Sequence, residues 1–81
     1  MIKTGDPVVL KDATGMLEFG LTEGKKGWAN SVTTIPGEGT FVFFLPEDGK
    51  EVTVMLASRL EVDEERKAAG LELNQDTIHK G

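Results

Sequence analysis

The 81-residue chain contains no cysteine and no tyrosine, and it has one histidine and one tryptophan. Without cysteine it can form neither disulfides nor thiolate metal sites, so packing or association has to stabilise it. His79, the lone histidine, stands near the C-terminus. A general base has to be held to a fraction of an ångström, which a tail residue is poorly placed to achieve. The sequence therefore offers no nucleophile–base pair and no soft-ligand cluster. We expect no catalysis, no metal and no cofactor. No apolar run approaches the roughly 20 residues that a membrane helix needs. The opening MIKTGDPVVLKDATG has neither an apolar stretch nor a cleavage-like site, so a cytoplasmic location is expected.

Positive charge is also scarce. The net charge is −5, with six Lys/Arg against nine Asp/Glu in residues 1–62 and three against five in residues 63–81. Both parts are acidic, so the end of the chain is not a charged arm on a neutral body. An acidic surface is repelled by phosphate backbones unless its cations are gathered in one place. Only Lys25 and Lys26 are adjacent cations, apart from Arg66-Lys67 in the helix-like segment. The pair in the loop is the candidate contact for an anion or a nucleic acid. The stretch Gly20-Leu21-Thr22-Glu23-Gly24-Lys25-Lys26 is one residue short of a phosphate loop and lacks its Ser/Thr. A flexible loop with solvated lysines is the simpler reading.

What the chain does have is short β-type runs. Pro7 to Leu10 is the first, with Pro7 at the strand's first position, where its missing N–H does little harm. Met16 to Gly27 holds three glycines and reads as an irregular loop, in part extended. Trp28 to Ile35 is a second strand, and Pro36 to Gly39 a turn. Thr40 to Leu56, TFVFFLPEDGKEVTVML, is a hairpin. Asp48-Gly49 suits a type I′ turn, which needs positive φ at both central residues. That turn opposes Phe41 with Leu56, Phe43 with Val54 and Leu45 with Val52. Ala57 to Arg59 then makes one helical turn, and Leu60 to Val62 a fifth strand. Asp63 to Gly70 is a short helix, capped by Asp63 and closed by Gly70, with residues 71–81 mobile or docked in extended form.

The hairpin is apolar on both faces. Phe41, Phe43, Leu45, Val52, Val54 and Leu56 form the larger set and are assigned to the core. Val42, Phe44 and Met55, with Thr53, form the outer set and a candidate partner interface. Two explanations of the outer set stand: a partner covers it, or the Met16–Gly27 loop or the C-terminal tail does. Trp28 is ambiguous in the same way. A four-residue loop at Pro36–Gly39 places it in the core, and a slip of one residue sends it to the interface.

Lys3-Thr4-Gly5-Asp6-x-Val8-Val9-Leu10 at the start and Val52-Thr53-Val54-x-x-Ala57-x-x-Leu60-Glu61 at the close resemble an SH3-like small barrel. Similar openings and closings occur in KOW domains of ribosomal and transcription factors, in one family of photosystem I subunits and in type II dihydrofolate reductases. The resemblance covers residues 3–62 and concerns a fold. It implies a mainly β, five-stranded barrel over residues 1–62, followed by a short helix and tail over 63–81. The reductases carry Val-Gln-Ile-Tyr where this chain has Val52-Thr53-Val54-Met55, lacking both the Gln and the Tyr. The favoured function is a non-catalytic interaction or assembly module, self-associating or docking to another protein. KOW-like RNA or ribosome binding through Lys25 and Lys26, and a symmetric oligomer with a small-molecule site at its axis, are the alternatives.

Overall fold

A computed structural model describes residues 1–49 and 51–71. The expectation of a mobile or extended tail, and His79 with it, lies outside the described residues. Five strands form one antiparallel sheet: β1 (Pro7–Leu10), β2 (Lys26–Ile35), β3 (Gly39–Pro46), β4 (Thr53–Leu56) and β5 (Leu60–Val62), in the order β4-β3-β2-β1-β5. One α-helix among the described residues, α1 (Glu64–Ala68), follows. No helix among the described residues is long and apolar enough to cross a membrane.

The outermost strands, β4 and β5, are consecutive and joined by a 3₁₀ turn of three residues, Ala57–Arg59. Such a turn spans only about 6 Å, whereas the edges of a flat five-stranded sheet stand about 19 Å apart. The sheet must therefore curl until its two edges approach. It does not close into a barrel, because β4 and β5 do not pair. A bulge in β2 between Ala29 and Ser31 contributes to the curl by sharpening the local twist.

The hairpin register is as the sequence suggests, with Phe41 opposite Leu56, Val42 opposite Met55, Phe43 opposite Val54 and Phe44 opposite Thr53. The turn differs. No described non-glycine residue has positive φ, and Gly49 does not either, so Asp48-Gly49 is not a type I′ turn. Instead the Gly49 N–H donates to the Pro46 carbonyl (3.1 Å), which puts Glu47 and Asp48 at the turn's centre. The strands resume pairing only at Thr53, so a longer connection delivers the same register.

The faces are exchanged. Val42 and Phe44 are fully buried and Met55 nearly so, together with Val8, Leu10, Ala13, Met16, Leu21, Ala29 and Leu60. The six-residue set assigned to the core lies outward: Val54 is 50% exposed, Leu56 40% and Val52 38%. The reason is the loop between β1 and β2. It supplies Ala13, Met16 and Leu21, and its 3₁₀ turn at Leu17–Phe19 returns the chain across the Val42/Phe44/Met55 side. Of the two explanations for that set, cover by the loop is the one observed. Full burial of side chains such as Phe44 and Leu10 contributes about 1.5–3 kcal/mol each.

Candidate interaction surface

The outward face of the β2–β3–β4 region is built by strand alternation. Phe41, Phe43 and Leu45 point away from buried Val42, Phe44 and Pro46, and all three remain half-buried. Across β4, Val54 and Leu56 complete cross-strand pairs with Phe43 and Phe41. Across β2, Ser31 and Thr33 oppose the same two phenylalanines. Ile35 at the strand's end is 39% exposed. From Trp28 to Pro46 the sole charged residue is Glu38, in the turn, and from Val52 to Leu56 there is none. This uncharged apolar face, on a chain of net charge −5, is the candidate interaction surface.

Trp28 belongs to this face and not to the core. The β2–β3 loop is one residue shorter than the four-residue turn considered for it, with Ile35 opposite Gly39 and Val32 opposite Val42. Val32 accordingly packs against the core. The bulge near Asn30 then shifts the register, so Ala29 opposes Phe44 inside and Trp28 opposes Leu45 outside. No sequence pattern marks that bulge.

One end of the face is closed by Arg66, a residue that the sequence pattern places in a helix and nowhere else. Its guanidinium lies 4.8 Å from the centre of the Trp28 ring. Nε donates to Asp63 Oδ2 (2.7 Å), Nη1 to Glu47 Oε2 (3.0 Å), and Nη2 to the carbonyls of Val8 (2.9 Å) and Gly27 (3.0 Å). One side chain thus ties α1 to β1, β2 and the β3–β4 turn. Asp63 caps the helix by accepting from the Arg66 N–H, and Arg66 holds its carboxyl below the usual aspartate range. Lys67 adds an ion pair with buried Asp6 (3.3 Å), whose other oxygen accepts from the Lys3 N–H. Gly70 at φ 77° ends the helix in a Schellman motif, with Leu71 N–H donating to Arg66 and Gly70 N–H to Lys67. The helix buries no residue of its own, so these polar links hold it.

The candidate residues are therefore distributed as follows. Val42, Phe44 and Met55 are together, as the register requires, but inside the protein. Their assignment as an exposed interface is corrected by their burial. Thr53 stands at the rim of that inner side, half-buried, in a shallow depression it shares with Phe19, Lys25 and Asp48. Lys25 is ion-paired with Asp48 (2.8 Å), which lowers the Asp48 pKa through that hydrogen bond. Lys26 lies beside it in a hollow that also holds Glu23, Glu47 and Asp48. Two lysines among three carboxylates do not concentrate positive charge. Among the described residues no group of three or more His, Asp or Glu is placed to hold a metal. Comparison of the chain with protein-family models, with curated proteins and with solved structures finds no match.

Proposed function

We propose that this chain is a cytoplasmic, non-catalytic interaction module on an SH3-like barrel plan, which self-associates through the outward face of β3 and β4. The observation that carries the reading is the uncharged apolar face of Phe41, Phe43, Val54 and Leu56, left open beside a separate and complete core. Exposed apolar area of this kind is stabilised by covering it, and a small domain gains from doing so. A second copy brings the same face without an opposing charge in it. Docking to another protein uses the same residues if copies do not pair.

Light scattering over a range of concentrations tests this. The expected result is a mass that rises towards a dimer or larger species. Val54→Glu, at a half-exposed site, should return the chain to a monomer with its circular dichroism unchanged. Association that survives Val54→Glu and Leu56→Glu together would refute the assigned face. A monomer at every concentration would remove self-association and leave docking to a different protein.

A further inference from the structure

The second open feature of the fold is the seam where the curled sheet fails to close. β5 has β1 as its one neighbour among the described residues. In that pair Lys11 N–H donates to Arg59 and Asp63 N–H to Pro7, so residues 59, 61 and 63 turn their backbone groups towards β1. Leu60 and Val62, between them, turn theirs the other way. The Leu60 N–H is taken by the Ala57 carbonyl. The Leu60 carbonyl and both backbone groups of Val62 face away from β1, the one strand beside β5, and no turn or loop group among the described residues bonds to them. They border an open crevice of about 590 Å³. Met1, Ile2, Ala57 and Val62 give it apolar surface, Thr40 also lines it, and Glu61 and Glu64 are its charged side chains, beside the residue that carries the N-terminal ammonium, Met1. Neither carboxylate is in an ion pair among the described residues, and no lysine or arginine lines the crevice.

We infer that β5 and this crevice accept an extended, lysine- or arginine-containing segment of another protein, which adds to the sheet as a strand. The Val62 N–H and carbonyl, unpartnered among the described residues, supply the backbone pairing of β-strand addition. Alternation in the added strand turns one set of side chains to the apolar surface of Ile2 and Ala57. It turns the other set outward, on the side of Glu61, where cations meet the unpaired carboxylates. A second copy of this acidic chain, or its own C-terminal segment with two acids and one lysine after Leu71, lacks that complementarity. The site is separate from the β3–β4 face and does not depend on it.

The probes are two capped hexapeptides, one alternating lysine with valine and one alternating glutamate with valine, added to the ¹⁵N-labelled full chain at low salt. The lysine peptide should shift the amides of Leu60, Glu61 and Val62, and should slow exchange of the Val62 amide. The glutamate peptide should do neither. Glu61→Gln with Glu64→Gln, both exposed and so tolerated by the fold, should weaken the lysine peptide by about tenfold. Equal binding of the two peptides, shifts centred on Val54 and Leu56 instead, or no binding at about 1 mM peptide would overturn the inference. A Val62 amide already protected without peptide would also overturn it. Protection that grows with protein concentration would identify a second copy as the occupant, and protection that does not would identify the chain itself.

Discussion

Replacing Phe44 by alanine separates the two apolar faces of the hairpin. The Phe44 ring is fully buried, in a cluster with Val42, Met55 and Ala29 and beneath the loop residues Met16 and Leu21. Truncation removes the ring's transfer free energy and leaves a cavity that strands on both sides cannot collapse to fill, a cost of about 3–5 kcal/mol. A domain of this length has a total stability of roughly 4–12 kcal/mol. Phe44→Ala should therefore consume much of it and move the urea midpoint down by roughly 2–5 M, for an m-value of roughly 1–1.5 kcal/mol/M. Val54→Ala is the control on the other face. Half its side chain is already in water, so it should cost about 1 kcal/mol or less. Equilibrium urea unfolding, followed by the emission of Trp28, gives both values. Equal costs for the two substitutions, or a larger one for Val54→Ala, would refute the assignment of inner and outer face.

Two further perturbations follow from single contacts. Gly27→Ala should destabilise by about 1–3 kcal/mol, since a methyl there would run into the Leu45 carbonyl and stand 2.7 Å from the Phe44 ring; thermal unfolding checks it. Asp63, held below its ordinary pKa chiefly by the Arg66 hydrogen bond, contributes stability that is complete above the unfolded aspartate value near 3.8 and is lost as pH falls through the lower folded pKa. An NMR titration of the Asp63 carboxyl should show the lowered midpoint. Asp63→Asn, which keeps a capping acceptor, should flatten the acid limb of the stability curve.

Local chemistry makes several elements legible in the amino-acid sequence alone. Pro7 opens β1, Asp63 and Gly70 bound α1, and the turn at Ala57–Arg59 and strand Leu60–Val62 stand where the pattern places them. The hairpin register also survives, although the turn that produces it is of another kind, because residues 47–52 span the gap without changing which side chains oppose one another. The inside of the sheet is not legible. Both faces are apolar, and the larger set is the natural choice for the core until the loop's Ala13, Met16 and Leu21 are known to cover the smaller one. Those three residues are scattered among glycines and charges with no period to reveal them. Trp28 is displaced by the bulge, which depends on how β2 bends over the core. Arg66 is hidden for a different reason: its partners come from residues 8, 27, 47 and 63, and no local pattern joins them.

The two open features of the fold should respond to salt in opposite directions. Copies that meet through the β3–β4 face bring together two chains of net charge −5, with no charge in the contact itself. Their repulsion acts over distance and is screened within about 10 Å at 0.1 M salt, so raising ionic strength should strengthen self-association. A basic segment at β5 is drawn by Glu61 and Glu64, and screening weakens that attraction. Mass by light scattering and peptide affinity by NMR, each measured from about 0.02 to 0.5 M salt, should therefore give slopes of opposite sign. Self-association that weakened with salt would point to opposite charges paired across the contact, and the uncharged face would not be its seat. Peptide binding indifferent to salt would leave the crevice's apolar surface and the Val62 backbone as the whole of the site, with no role for either carboxylate.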